Sequence, residues 1–285
     1  MPDPAEAIPA PVLIMVAPNG ARRTRADHPA LPMTALELAE TAAACAEQGA
    51  CAIHAHVRDA SGRHVLDAGL YREAIAAIRA RVGDGMVVQI TTEAVGRYAP
   101  AEQQALVREL RPGAVSVGLR EILAGGEDEG CAFLRWAGQE GIAVQHILYD
   151  REDLDRFADL HRRSLLGAAR PRLLFVLGRY APDQESSPRD LDVFLDGLKR
   201  HELDDAIWMV CAFGRGETAA LAAAIAAGGH ARVGFENSLW NADGSLARDN
   251  AERVAAIAGL ARKAGRAPAN ADQARSILGI AHRIR

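Results

Sequence analysis

Short runs of β-branched and aliphatic residues recur along the chain, each followed by a stretch that alternates apolar and polar positions at helical spacing. The runs predict strands over 12–17 (VLIMVA), 51–57 (CAIHAHV), 86–91 (MVVQIT) and 114–118 (AVSVG). Four more are predicted over 142–148 (IAVQHIL), 172–177 (RLLFVL), 207–212 (IWMVCA) and 232–235 (RVGF). The helical stretches between them have legible ends. Thr34 followed by Glu37 is a capping box that opens a helix running to about Gln48, and Gly49 suits the position just past its end. A second helix opens at Asp67 and puts Tyr71, Ile75, Ile78 and Val82 on one face. The last long one opens near Asp249 and closes at Gly265, with Val254, Ile257 and Ala261 on one side.

Strand followed by helix, repeated through the chain, predicts a parallel β/α architecture. Strand starts at 12 and 232 give a period of about 31 residues, which matches the ~250 residues of an eightfold closed barrel. An open doubly wound sheet is the competing fold. The turn after the first strand reads APNGA, however, so the glycine fingerprint of a dinucleotide site is absent. The expectation is therefore a single TIM (β/α)8 barrel domain over residues 1–285. Residues 1–10 read as an irregular lead-in and 271–285 as a closing helix and tail.

Composition narrows the function classes. Of 285 residues 49% are hydrophobic, enough for a sizeable core, and 25% are charged with a net charge of −4. Disorder is excluded, and so is the basic surface of a nucleic-acid binder. No apolar run approaches the ~18 residues of a membrane span. The opening MPDPAEAIPAPV lacks the basic start of a signal peptide. Cys45, Cys51, Cys131 and Cys211 are scattered without a C-x-x-C pair, which fits buried thiols in a reducing, cytoplasmic setting. The basic residues are almost all arginine, and the two lysines, Lys199 and Lys263, fall in late helices. That removes a Schiff-base mechanism, which needs a lysine at a strand end.

In a barrel of this kind the chemistry sits at the C-terminal ends of the strands. The second strand carries His54-Ala55-His56, and side chains two apart on a strand share a face, so both imidazoles can converge on one point. The last strand ends in Arg232-Val233-Gly234-Phe235-Glu236-Asn237, and closure places it, like the second, beside the first strand. Glu236 can then complete a three-ligand metal site with an open position. His230 falls at the opposite end of its strand and is left out. Other strand ends contribute Asn19, Thr91-Thr92-Glu93, Ser116, Glu121, Gln145-His146, Arg179-Tyr180, Arg215 and Glu217, together a more polar rim than structural loops require.

Three segments carry a resemblance: NGA-RRT-x-x-x-HPALPMT, EQGACAIHAHVRD-x-SGRH and GGHARVGFEN. In them the chain resembles the β-keto acid cleavage enzyme family, whose characterised prototype cleaves 3-keto-5-aminohexanoate. The resemblance implies a zinc-dependent barrel, a homotetramer, which transfers an acyl fragment from a β-keto acid to the CoA of acetyl-CoA. The products are acetoacetate and a new acyl-CoA. It implies that His54, His56 and Glu236 bind Zn2+, that Arg232 is the active-site arginine, and that Thr91, Ser116 and Asn19 contact substrate. Two positions depart from the family pattern. Asn237 stands where an aspartate follows the zinc-binding glutamate, and Gln145-His146-Ile147 stands where many members carry a glutamate pair.

A carboxamide cannot accept a proton at neutral pH, so a catalytic base must come from elsewhere than Asn237. Glu93 is the first choice and Glu121 the second. Two other readings stand beside this one. A zinc-dependent amidohydrolase also uses H-x-H, but on its first strand and commonly with a carbamylated lysine, which this chain lacks. A non-catalytic ligand-binding barrel is the reading that Asn237 itself motivates.

Overall fold

The computed structural model describes residues 9–168 and 170–280. Residues 1–8 and 281–285, most of the expected lead-in and the end of the expected tail, lie outside the described residues. The strands are β1 Ile14–Val16, β2 Ala52–Ala55, β3 Val87–Thr91, β4 Ala114–Gly118, β5 Ala143–Leu148, β6 Arg172–Leu177, β7 Ile207–Ala212 and β8 His230–Val233. They pair in sequence order, all parallel, into a closed barrel. β1 closes it: Met15 is opposite Ala52 on β2 and Arg232 on β8. The expected eightfold barrel is the observed fold.

Alternation along the strands separates two cores. Residues such as Ile14, Ile53, Val115 and Phe175 point outward and pack under the helices. Leu13, Met15, Ala52, Leu174, Met209 and Cys211 point into the barrel. Helix Ala271–Leu278 closes the N-terminal end of that interior with Ala274 and Leu278. Toward the other end the interior turns polar. His54, Gln89, Gln145 and Arg232 are all 3% exposed or less, in place of aliphatic filling.

The helix ends fall where the sequence places them. Helix Ala35–Glu47 has Thr34 as its cap with both bonds of the capping box, and Gly49 follows at φ +108°. Asp67 caps Ala68–Val82, and Asp249 caps Asn250–Lys263. One strand differs. The last strand is predicted over 232–235 but runs over 230–233. His230 Nδ1 accepts the Leu13 N–H, drawing the strand's start into the sheet, and Gly234 at φ +139° ends it. Glu236 is therefore presented by a turn, not by a strand. His56 likewise lies one residue past β2.

That turn rests on a buried ion pair. Glu217, at the start of helix Glu217–Ala226, accepts the Gly234 N–H through Oε1 at 3.2 Å. Its Oε2 accepts from Arg253 at 2.8 Å, and both side chains are wholly buried. Arg253 also donates to Thr218 Oγ1 and Asn241 Oδ1. Both Nη groups of Arg253 are thus engaged, while its Nε is buried without a partner. Breaking a buried pair by removing one partner costs about 3–5 kcal/mol. Arg253→Met is expected to lose stability of that order in denaturant unfolding. The double variant Glu217→Gln/Arg253→Met should recover part of the loss, since no unpaired charge is left in the core. A single variant within about 0.5 kcal/mol of the parent would show that the pair supports nothing.

Candidate active site

The C-terminal ends of the parallel strands open onto a cavity of about 310 Å³, lined by residues of the loops after β1, β3, β5, β6, β7 and β8. At its floor three donors converge. His54 Nε2 and His56 Nε2 are 3.1 Å apart, and Glu236 Oε2 lies 3.6 Å from the first and 3.3 Å from the second. These three residues form a group whose ligand atoms all lie within 4.8 Å of one another.

The protonation pattern suits a cation. His54 Nδ1 is 2.8 Å from Gln89 Oε1, an oxygen that can only accept, so the ring proton sits on Nδ1 and Nε2 presents a lone pair. Gln89 is held in that orientation because its Nε2 donates to Gln145 Oε1 at 3.1 Å. Burial, then the Arg232 charge, holds the His54 pKa well below the ordinary histidine range, so the ring stays neutral. Burial pulls the other way on Glu236. Arg232, His54 and His56 nevertheless hold its carboxyl well below the ordinary carboxylate value, and it is ionised. Its Oε2 is buried and accepts no hydrogen bond.

Backbone geometry explains how Glu236 arrives there. A side chain at Gly234 would bring its Cβ to 2.6 Å from the Ala17 carbonyl oxygen, and one at Gly20 to 2.6 Å from Glu236 Cγ. Asn250 clasps the same turn, accepting the Phe235 N–H at 2.9 Å and donating to the Pro18 carbonyl at 3.1 Å. Arg23 donates to the carbonyls of Phe235 and Asn237 at 2.9 and 3.2 Å. The loops after β1 and β8 are thus tied together around the carboxylate.

Arg232 is 3% exposed and lines the cavity. Its Nη2 donates to Glu236 Oε1 at 2.8 Å and approaches Cys211 Sγ at 3.4 Å, leaving Nε and Nη1 without protein partners. Burial disfavours its charge, but Cys211 and Glu236 outweigh that and keep it protonated. Glu93 lines the opposite side. Its Oε2 lies 3.9 Å from His56 Nδ1 and its Oε1 3.8 Å from Arg179 Nη2. Thr91 lines the cavity as well, its Oγ1 accepting the Glu93 N–H at 3.0 Å.

The other expected site residues are placed differently. Asn19 lines the cavity, but its side chain is spent on main chain: it donates to Pro32 and His56 carbonyls and accepts the His56 N–H. Ser116 pairs in register with Thr91, wholly buried, its Oγ without a partner, and is outside the cavity lining. Asn237 is also wholly buried and outside the lining, and both amide atoms lack partners. Glu121 turns to the loop after β3, accepting from the Ala94 N–H and Gln103 Nε2. His146 packs outward against Phe157, and burial drops its pKa to about 3. Gln89, Arg22, Arg23 and Tyr149 join the site without having been singled out in the sequence. A lone polar residue in the aliphatic run MVVQIT marks Gln89, and the arginine pair lies inside the NGA-RRT segment.

Comparison with known proteins shows the family. The chain is 31% identical over 274 residues to the 3-keto-5-aminohexanoate cleavage enzyme of Fusobacterium nucleatum subsp. nucleatum, covering 94% of this chain and 98% of that one. It is 26% identical over 278 residues to the 3-oxoadipate:acetyl-CoA acetyltransferase of Cupriavidus necator, covering 95% of each. A structure titled as the binary complex of ObcA with oxaloacetate superposes with a TM-score of 0.71 at 16% identity, over 88% of this chain and 68% of that one, a likeness of fold. The model of the beta-keto acid cleavage enzyme family matches residues 11–280, and the chain belongs to that family.

Proposed function

We propose that the protein is a zinc-dependent β-keto acid cleavage enzyme that uses acetyl-CoA as co-substrate, releasing acetoacetate and a new acyl-CoA. The observation that carries this reading is the convergence of His54, His56 and Glu236 at a cavity floor beside a half-free buried arginine. The relative named as a 3-oxoadipate:acetyl-CoA acetyltransferase supports the choice of co-substrate. Family resemblance supports a homotetramer, the four free buried cysteines support a cytoplasmic setting, and no helix among the described residues is long and apolar enough to cross a membrane.

The donors fit zinc. Two imidazole nitrogens and a carboxylate with an unengaged buried oxygen are the three-ligand pattern of a catalytic site. When bound, the metal supplies Lewis-acid polarisation of the substrate ketone. The protein's own residues do the rest. Arg232 offers Nε and Nη1 to the substrate carboxylate, while its Nη2 stays on Glu236. Thr91 keeps its hydroxyl proton free for the substrate, since its oxygen already accepts from Glu93 N–H. Glu93 takes a proton from the methylene between ketone and carboxylate, in the role that Asn237 cannot fill. The carbanion attacks the acetyl thioester carbonyl and expels the CoA thiolate. The thiolate then adds to the original ketone carbon, the bond to the methylene carbon breaks, and Glu93 returns the proton to acetoacetate.

Removing His56 leaves two ligands, so His56→Ala is expected to lose bound zinc and activity together. Elemental analysis of the purified variant checks this, and full metal occupancy would sink the assignment. Arg232→Lys keeps the charge but loses the planar fork. It should cost at least ~10-fold in kcat/KM, and a wild-type value would make the arginine a mere partner of Glu236. Glu93→Gln keeps the shape without the basicity and should lower kcat ~10²–10⁴-fold, with Asn237→Asp neutral or faster. Normal turnover by Glu93→Gln alongside a strong gain in Asn237→Asp would return the base to position 237.

A further inference from the structure

Charge is unevenly spread over the cavity. Arg22, Arg23, Arg179 and Arg232 line it, against only two carboxylates, Glu93 and Glu236. Two of the four arginines are committed. Arg232 pairs with Glu236, and Arg23 is spent on the carbonyls of Phe235 and Asn237. Arg179 is not. It lies over the Phe213 ring with its guanidinium carbon 5.1 Å from the centroid, and reaches Glu93 only at 3.8 Å, too long for a hydrogen bond. Its side chain is 14% exposed, so the charge is largely removed from water without a close partner. Arg22 makes no hydrogen bond or ion pair among the described residues. The same lining includes the apolar side chains of Ile147, Val176 and Phe213.

A simple β-keto acid brings one carboxylate, which Arg232 answers. The positive charge at Arg22 and Arg179 is left over, and a bound dication only increases it. The apolar side chains suit a short methylene chain, and Arg179 lies across a single carboxylate from His56, within reach of a small substrate. We propose that Arg22 and Arg179 form a second carboxylate subsite, and that the enzyme's substrates are β-keto diacids whose distal carboxylate is held there. The assignment rests on the cleavage reading above.

The phosphates of CoA share the anionic chemistry, so the test must separate the two sources. The zinc-loaded enzyme is assayed for acetoacetate release with β-keto acids of one chain length, ending in a methyl, an ammonium or a carboxylate group. The carboxylate-ended acid should have a kcat/KM at least ~10-fold above the methyl-ended one, with the ammonium-ended one lowest. In Arg179→Met and Arg22→Met that ratio should fall toward one, chiefly through KM for the diacid. Reading a ratio between substrates separates the subsite from any effect of Arg179 on Glu93, which would move all substrates together. Equal or better use of the methyl-ended acid by the parent enzyme overturns the subsite and leaves the cleavage reading standing. So does a rise in KM for acetyl-CoA in place of the diacid, which would give the arginines to the CoA phosphates. If no acid of the panel is cleaved, the cleavage reading fails, and calorimetry with an unreactive dicarboxylate then decides the subsite alone. Binding no tighter than that of the matching monocarboxylate, or unaffected by Arg179→Met, overturns it.

Discussion

The site depends on the pairing of β1 with both β2 and β8. Met15 sits opposite Ala52 on one side and Arg232 on the other, so residues far apart in sequence become near neighbours across a single short strand. His54 and His56 come from one flank, Arg232 and Glu236 from the other. No local interaction could bring these four together. The hydrogen-bonded closure of the sheet does so, and then holds them in a frame whose backbone groups are already satisfied.

Closure alone leaves Glu236 on a turn, where a carboxylate would be mobile. The turn is clamped from several directions: Glu217 and Asn250 take its N–H groups, and Arg23 caps its carbonyls. Gly20 and Gly234 allow the loops after β1 and β8 to approach more closely than side chains permit. Beneath it, Gln89 and Gln145 fix the tautomer of His54 from inside the barrel. Glu217, Asn250, Gln89 and Gln145 are polar groups buried where aliphatic residues would pack better. Stability is given up there for a fixed geometry at the ligand atoms, the trade expected of a preorganised site.

The electrostatics follow from that arrangement. Burial keeps His54 neutral and the neighbouring cations keep Glu236 ionised, so these two donors are held in ligating form. Arg232 is shared, one nitrogen on Glu236 and the others open to the cavity. Asn237 adds no charge to this arrangement, and both of its buried amide atoms are without partners. Glu93 faces both His56 and Arg179, without a close ion-pair partner in either.

The sequence by itself determined the eightfold β/α repeat, the helix caps at Thr34, Asp67 and Asp249, and the H-x-H pair with its distant glutamate. These are local or periodic signals, set by side-chain alternation and by hydrogen bonds within a few residues. It also pointed to Glu93 at the mouth. Other matters were decided only in three dimensions. His230 belongs to the last strand because its ring accepts from Leu13, more than two hundred residues earlier, and Glu236 lies on a turn because Gly234 breaks the ladder. Asn19, Ser116 and Asn237 read alike as polar residues near strand ends, yet one is tied to main chain and two lie buried off the cavity. Which way a polar side chain turns, and what remains free on it, depends on partners from other strands, and those partners are set by the closure of the barrel.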